Sequence, residues 1–300
     1  MTPDIDTPAH REAIPASDNP LGMEGIEFIE YATRQPHALG QALEAMGFRL
    51  VARHRSREVL LYRQGAMNLV VNAHPEDARV SATEGGAPVI SAIALRVDDA
   101  GRAHARCLAL GAWDVASHAR AMELHIPAIH GPGGSRFYFV DRWREFSIYD
   151  VDFLPVADAD PAPPALAGMR YFGVVQYVGP GRVDDWHTYY ERLLGFTPVP
   201  AHERFGILPK GRLMRSPGGA FLWQLVEPLG WDDDLDMPQE SLQRIGIGVP
   251  DVADAVRQLG ARGVRFVDSA ALHPEDRGAL TETVLGGVAF ELVLQPRSPS

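Results

Sequence analysis

The sequence predicts an α+β fold in which four β-α-β-β-β modules pair into two domains. An alternating apolar pattern from Gly25 to Tyr31 is followed by a helical pattern and then by further alternating segments. The same succession begins again at Ser91, and short motifs recur about 150 residues further on. We therefore expect each domain to form a curved mixed sheet around a cavity.

The first module contains a helix from about Pro36 to Met46, with Gly47 as its C-terminal cap. The strand patterns that follow the helix have turn residues between them. They cover Arg49–Ala52, Val59–Arg63 and Met67–Asn72.

The second module starts with a strand at Ser91–Val97, followed by a helix that runs to Leu110. We interpret Tyr138–Val140 and Ser147–Val151 as its later strands. The pair Gly133-Gly134 lacks the Gly-Lys-Ser/Thr context of a phosphate-binding loop, so we predict a hairpin turn there.

Two pairs of matching segments indicate an internal duplication. Ile93–Asp99 matches Ile245–Asp251 at an offset of 152 residues, and Met46–Phe48 matches Leu194–Phe196 at an offset of 148. A Pro/Ala-rich segment, 154–168, has the composition of an extended linker. The predicted organisation is a disordered tail (1–20), a first domain (21–153), this linker and a second domain (169–297).

Composition restricts the classes of partner. The formal net charge of −11 argues against nucleic acid and against anionic membrane surfaces. A single cysteine, Cys107, lies in an apolar helical pattern, which excludes intrachain disulfides and predicts a core position. The sequence has neither an apolar signal segment at its start nor an apolar run of membrane-spanning length, so we expect a cytoplasmic protein.

A carboxylate interrupts the last predicted strand, within Gly286–Gln295. Phe290, Leu292 and Leu294 point one way in this alternating segment, and Glu291 points the other way. Burying a lone carboxylate costs several kcal/mol, so Glu291 must bind or pair with something if it is buried. An exposed face or an ordinary ion pair would explain it equally well.

Several segments carry a resemblance to a known family. The segments beginning at Asn19 (NPLGMEGIEFIEYA), Val51 (VARHRSREVLLYRQGAMNLVVNAHP) and Met122 (MELHIPAIHGPGG) resemble the first domain of 4-hydroxyphenylpyruvate dioxygenases, in the vicinal-oxygen-chelate superfamily. They resemble at least as closely the dioxygenase-like half of bacterial fusion proteins whose other half is a 3-dehydroshikimate dehydratase barrel. DDWHTYYERLLGF and TETVLGGVAFELVLQ are similar to the family's second domain.

The resemblance implies an Fe(II) in the second domain, held by two histidines and a glutamate that leave three coordination positions open. The glutamate falls on Glu291. The first histidine falls on Gly173 or Val174, depending on one gap, and the second falls on Arg244. Glycine and valine carry no ligand atom, and a guanidinium stays protonated and repels metals. The metal site is therefore predicted to be degenerate, with no cofactor expected; Fe(II) is expected only if the ligands have been misplaced.

Other positions complete the candidate site, whose catalytic residues stay unknown. In the family's polar stretch Ser216 and Glu227 match, whereas Val226 replaces an asparagine. The candidate ligand-binding residues are Arg244, Glu291, Gln176, Ser216 and Glu227. We expect an Arg244–Glu291 ion pair that either receives a ligand carboxylate or only joins two strands. No counterpart of the family's C-terminal helix follows Gln295, so we expect a cavity that is open or covered by a second copy in a homodimer.

Polar residues elsewhere carry weaker signals. Glu27 and Glu30 in the first strand are interpreted as structural, as in the family. His125 and His130 lie five residues apart near Glu123, which is not a metal-ligand spacing, and His187 is interpreted as a surface residue on the helix Asp184–Leu194.

Three functional hypotheses follow. The leading one is a metal-free relative of the dioxygenase that binds a small aromatic or keto acid, or that serves as a subunit beside a separately encoded enzyme. The second is an active Fe(II)-dependent aromatic keto-acid dioxygenase. The third is a metal-independent lyase or isomerase, because a fold does not fix its chemistry.

Overall fold

The computed structural model describes residues 18–74, 86–116, 124–144, 146–200, 211–227, 240–268 and 277–295. The predicted disordered tail lies outside these residues, except for its last three positions. No helix in the described ranges is long and apolar enough to cross a membrane.

Within these ranges the first half of the chain forms an eight-stranded sheet in the order β6-β7-β5-β1-β4-β3-β2-β8. Its strands are β1 (Gly25–Ala32), β2 (Arg49–His54), β3 (Val59–Gln64), β4 (Met67–Asn72), β5 (Val89–Arg96), β6 (Ala128–His130), β7 (Arg136–Val140) and β8 (Phe153–Pro155). The helices are α1 (Pro36–Ala45), α2 (Ala100–Ala109) and α3 (Ile148–Asp152), and a 3₁₀ turn spans Pro132–Gly134.

The second half forms a seven-stranded sheet in its described residues, in the order β10-β11-β12-β9-β13-β15-β14. Its strands are β9 (Arg170–Tyr177), β10 (Thr197–Pro198), β11 (Arg212–Arg215), β12 (Leu222–Val226), β13 (Ser241–Val249), β14 (Gly278–Leu280) and β15 (Phe290–Leu294). The helices are α4 (Val183–Tyr189), which continues into a π-helical turn at Tyr190–Leu194, and α5 (Val252–Gly260); 3₁₀ turns span Leu166–Gly168 and Pro217–Gly219.

The two sheets share one topology. In the first sheet β1 runs parallel to β4 and antiparallel to β5, and β5 runs parallel to β7. In the second sheet β9 runs parallel to β12 and antiparallel to β13, and β13 runs parallel to β15. The predicted fold class and duplication are confirmed. In the described ranges both sheets are open and neither closes into a barrel.

One element of the second module was predicted wrongly. Ser147–Val151 was interpreted as a strand, but Ile148–Asp152 forms helix α3. Ser147 and Asp150 form a capping box there. The Ser147 side chain accepts from the backbone N–H of Asp150, and the Asp150 carboxylate accepts from the backbone N–H of Ser147. On its other side from β5, β7 pairs with β6. Gly133-Gly134 forms the predicted turn between β6 and β7, with φ values of 59° and 74° that favour glycine.

The predicted linker is held against the first half. Leu154 and Pro155 belong to β8, which pairs with β2. Further along, the backbone N–H of Gly65 donates to the carbonyl of Pro163, and Arg63 donates to the carbonyl of Pro161. The segment is therefore bonded to the first sheet along much of its length.

The two halves pack through a shared apolar core. One face of each sheet and helices α1, α2 and α5 contribute to a single cluster of buried side chains. At its centre, the ring of Phe137 lies 6.2 Å from that of Tyr190 and 5.7 Å from that of Trp223. Cys107 lies in this core as predicted, and burial raises the pKa of its thiol to about 12.

A cation also joins the halves at the surface. Arg262, just beyond α5, donates to the carbonyl oxygens of Glu44 and Ala45 in the last turn of α1. The opposite face of each sheet points away from the shared core, and we call it the outer face.

Candidate site on the outer face of the second sheet

Three neighbouring strands meet at Glu291, and two of the family's ligand positions, Gly173 and Glu291, flank Gly246 there. Gly246 on β13 is paired with Gly173 on β9 and with Glu291 on β15. Trp223 and Val174 are paired and both belong to the shared core, whereas Leu222 and Phe172 pack on the opposite side. Side chains alternate along a strand, so Gly173, Gly246 and Glu291 lie in a row on the outer face.

This register resolves the ambiguity between Gly173 and Val174. Val174 is 2% exposed within the shared core, so a side chain at that position points away from Glu291. The outer-face position on β9 is Gly173. A register shift between β9 and β13 at Phe172 explains why sequence alone left both positions open.

The backbone leaves no room for a side chain at Gly173, and little at Gly246. A Cβ at Gly173 would lie 2.5 Å from the carbonyl oxygen of Leu222, a backbone atom of β12. A Cβ at Gly246 would lie 3.3 Å from the backbone nitrogen of Gly173. Strands β12, β9 and β13 therefore approach too closely here for a histidine on β9.

Arg244 and Glu291 form the predicted ion pair. The Nε atom of Arg244 lies 3.4 Å from Oε2 of Glu291, and the two side chains are 10% and 1% exposed. This distance exceeds that of a typical charge-assisted hydrogen bond, so the pair is loose. The guanidinium also donates from Nη1 to the hydroxyl of Tyr177 at 3.2 Å and lies 5.9 Å from the centre of the Tyr177 ring.

A small void lies beside this pair. Glu291 and the amide of Gln224 supply its polar border, and apolar residues supply the rest, including Phe172, Leu222 and Val293. The void has room for about one water molecule. Arg244 does not border the void, and its guanidinium lies beside the row of Gly173, Gly246 and Glu291, where it contacts Tyr177.

The residues present do not fit an iron ion. Of the three ligand positions only Glu291 carries a donor atom, and the described part of the chain holds no group of three His, Cys, Asp or Glu residues arranged to bind a metal. His130 is exposed at the end of β6, and Glu123 lies outside the described residues. His187 was interpreted as a surface residue, but its side chain is only 18% exposed, and its Nδ1 lies 3.9 Å from Oε2 of Glu191.

Three predicted ligand-binding residues lie elsewhere, which corrects the sequence-based site. Gln176 points into the shared core, where its Oε1 accepts from the Tyr190 hydroxyl at 2.7 Å and from Trp223 Nε1 at 3.0 Å. The Ser216 hydroxyl accepts from the backbone N–H of Phe221 and stabilises the turn before β12. Glu227, at the exposed end of β12, accepts from the backbone N–H of Gly181.

Sequence reasoning missed two residues of the site, Tyr177 and Gln224. Tyr177 lies two positions after Val175, which is paired with Arg244, and Gln224 is paired with Val175 on the other side. Their alternation with core residues was a usable signal, because Trp223 and Leu225 flank Gln224.

The acidic residues of the first sheet are satisfied by close partners, as the structural interpretation predicted. Glu27 accepts from Nε of Arg96 at 2.5 Å and Glu30 accepts from the Ser91 hydroxyl at 2.7 Å. Burial is the main reason that the pKa of the nearby Tyr149 phenol is well above its ordinary value, and the Glu27 carboxylate raises it further.

Paired β-α-β-β-β modules and an outer-face row of ligand positions define the vicinal-oxygen-chelate architecture. Residues 17–154 match the family model described as "Hydroxyphenylpyruvate dioxygenase, HPPD, N-terminal". A 4-hydroxyphenylpyruvate dioxygenase from Pseudomonas sp. (strain P.J. 874) is 33% identical, over 92% of this chain and 90% of that protein. The chain belongs to the 4-hydroxyphenylpyruvate dioxygenase family.

Other similar proteins have different names or architectures. A 3-dehydroshikimate dehydratase from Pseudomonas aeruginosa is 36% identical over 91% of this chain but only 45% of its own length. A solved fusion of a xylose isomerase-like TIM barrel with a 4-hydroxyphenylpyruvate dioxygenase shares the fold, with a TM-score of 0.75 at 24% identity over 98% of this chain and 53% of that one. A mutant 4-hydroxymandelate synthase from Streptomyces coelicolor has a TM-score of 0.69 at 18% identity, over 93% and 94% of the two chains.

Proposed function

We propose that this protein is a member of the dioxygenase family without iron chemistry, which binds a small aromatic or keto acid and does not oxidise it. One observation carries the proposal: Arg244 is paired with Glu291, while glycines occupy the positions beside it on β9 and β13. A facial triad needs three donor side chains, and of the three family positions only Glu291 supplies one.

Steric and electrostatic observations both support the loss of iron binding. The contact predicted for a Cβ at Gly173 means that a histidine there would require β12 to move. The guanidinium of Arg244 neutralises the one remaining carboxylate and repels a divalent cation. Restoring metal binding would thus need changes in the backbone as well as in side chains.

A role beside a separate enzyme is a second candidate. The 3-dehydroshikimate dehydratase of P. aeruginosa is matched over less than half of its length, and a solved fusion protein carries this fold next to a TIM barrel. Such relatives favour a role for this chain as a subunit beside a separately encoded partner. Co-purification with a dehydratase encoded by the same organism would support this candidate.

The test of the proposal is metal analysis of protein purified without chelator. Reconstitution with Fe(II) and oxygen-electrode readings with 4-hydroxyphenylpyruvate would follow. We expect far less than one iron per chain and no oxygen uptake above the protein-free rate, whereas the Pseudomonas sp. dioxygenase treated in parallel takes up oxygen. Stoichiometric iron together with oxygen uptake would overturn the proposal in favour of an active dioxygenase. Conversion of the keto acid without oxygen uptake would indicate a lyase or isomerase.

A further inference from the structure

We propose that the first sheet docks an acidic segment of a partner protein at its β6 edge, on an outer-face row formed by Trp113, His130 and Arg136. The partner supplies carboxylates to His130 and Arg136 and an apolar side chain to Trp113. This inference goes beyond the proposed function, because the row lies on the first sheet and its use does not depend on acid or iron binding at the second.

Strand pairing places His130 and Arg136 side by side on the outer face. Ile129 on β6 is paired with Phe137 on β7, and both belong to the shared core. His130 and Arg136 are the next pair along the same two strands. Because side chains alternate along a strand, these two point away from the core. Directly opposed side chains on paired strands have Cβ atoms about 5 Å apart, so one partner segment can contact both.

Trp113 extends this row by one position, beyond β6. Its backbone carbonyl accepts from the backbone N–H of His130 at 2.9 Å. The next residue, Asp114, bridges Ile129 and points to the core side, where its carboxylate lies 2.9 Å from Nε2 of His104 on α2. Trp113 therefore points to the outer face, and it is 78% exposed. Tryptophan and arginine are the residues most enriched where protein partners bind tightly.

The internal duplication supplies a direct comparison for this row. By the register of the strands, the equivalent positions of the second sheet are Arg265, Glu282 and Ala289. Glu282 donates its backbone N–H to the carbonyl of Arg265, as His130 does to Trp113. The side chains of Arg265 and Glu282 pair at 2.7 Å. The second row therefore satisfies its own charges, whereas the first row has a cation, two aromatic rings and no acid.

The first row presents donors that lack acceptors. Arg136 is half-buried, and in the described part of the chain it makes one hydrogen bond, from Nη1 to the hydroxyl of Tyr138 at 3.3 Å. The exposed ring of His130 has no hydrogen-bond partner among the described residues. Guanidinium and indole groups only donate, and an imidazole can donate as well. A carboxylate is the protein acceptor that also matches the charge of Arg136.

Charge selects the class of partner. The chain has a formal net charge of −11, yet residues 124–136 include an arginine and two histidines and no acidic residue. An acidic protein segment is attracted to this edge, whereas nucleic acid and anionic membranes, which present charge over a wide surface, are repelled by the rest of the chain. Two copies of this chain that met through the same row would bring their Arg136 side chains together, which like charges disfavour.

The experiment is calorimetric titration of the full chain with the capped peptide Ala-Glu-Phe-Glu-Glu-Ala and with its match, in which glutamine replaces each glutamate. The row variants are Arg136→Gln, Trp113→Ala and Trp113→Arg/His130→Glu, the last of which transfers the ion pair of the second row to the first. Arg265→Gln/Glu282→Gln is the matched control at the equivalent row. Circular dichroism establishes that each variant is folded.

We expect the wild type and the control to bind the glutamate peptide about tenfold more tightly than the glutamine peptide, with a preference that falls as salt is added. In ¹⁵N spectra the indole signal that is missing in Trp113→Ala should shift on binding. Arg136→Gln and the ion-pair transfer should lose the preference for glutamate, and Trp113→Ala should weaken binding of both peptides.

Equal binding of the two peptides, no binding of the glutamate peptide, or an unchanged preference in the folded row variants would overturn the inference. Sedimentation that shows self-association of the wild type, abolished in Trp113→Arg/His130→Glu, would also overturn it, because a second copy would then occupy the row. None of these results bears on iron or acid binding at the second sheet, which the metal and oxygen measurements test.

Discussion

The outer faces of the two sheets put different residues at the same three positions. In the first sheet Ala94 is paired with Phe28 and Tyr138, whose rings lie 6.0 Å apart within an apolar cluster. In the second sheet the equivalent strands carry Gly246, Gly173 and Glu291. The same topology therefore accommodates a packed aromatic pair in the first sheet and a buried carboxylate with its cation in the second. The side chains on these strands determine which of the two is formed.

Both sheets bury carboxylates, and Glu27 of the first sheet has a close cation, Arg96, at 2.5 Å. Glu30 of the first sheet receives a hydrogen bond from a neutral hydroxyl, that of Ser91, within ordinary distance. Glu291 is held by a full cation at longer range. A buried ion pair is sensitive to the loss of either member, because the remaining charge is left without its partner.

The largest expected effect is at Arg244. Arg244→Met should lower the free energy of unfolding by about 3–5 kcal/mol, because Glu291 would remain buried without its cation. The double variant Arg244→Met/Glu291→Gln should recover much of this loss. Urea unfolding followed by circular dichroism measures both, and a single variant as stable as the wild type would contradict a buried ion pair.

The Phe28→Ala variant tests the aromatic packing on the outer face of the first sheet. Phe28→Ala should cost about 3 kcal/mol, since it removes a buried ring that contacts Tyr138. The same urea titration measures it. A loss below about 1 kcal/mol would mean that the outer face of the first sheet is not a packed core.

The Gly173→Ala variant tests how closely the backbones of β9 and β12 approach each other. Gly173→Ala should cost about 1–3 kcal/mol, because its Cβ would meet a backbone oxygen of Leu222. Gly246→Ala is the matched comparison, with its nearest contact at 3.3 Å, and should cost less. If Gly173→Ala were neutral, the steric argument against a histidine on β9 would fail.

Cys107 gives the smallest effect and reports on the core between the halves. Its pKa of about 12 keeps the native thiol protonated at pH 8, so a thiolate-specific reagent should react slowly. Reactivity should rise only when the shared core opens, and its urea midpoint should equal that of global unfolding. Earlier labelling would show that one half unfolds first. Stability should also depend on pH through this thiol. Because its pKa in the folded state is raised above the ordinary value near 9, its contribution to the free energy of unfolding is fully present below pH 9. The contribution is lost as the pH rises toward 12.

Sequence periodicity predicted the strands and helices that carry long alternating patterns, and the 152-residue offset predicted the shared topology. The family resemblance predicted the contact between Arg244 and Glu291, because both fell on ligand positions of one family site. Periodicity failed at Ile148–Asp152, where a capping box decided the conformation of a short apolar segment. It also failed at Gln176: a polar residue on a strand favours the accessible face, but here two aromatic donors in the core satisfy it.

Arg262 links the two halves through an interaction between its charge and the end of a helix. Its guanidinium donates to the last carbonyls of α1, the end of a helix that carries partial negative charge. The donors of these hydrogen bonds belong to the second half and the acceptors to the first. Because the same bonds hold the helical end and the two halves, we expect the helix to fray there when the halves separate. Amide exchange in the final turn of α1 should therefore report the docking of a segment more than 200 residues away in sequence.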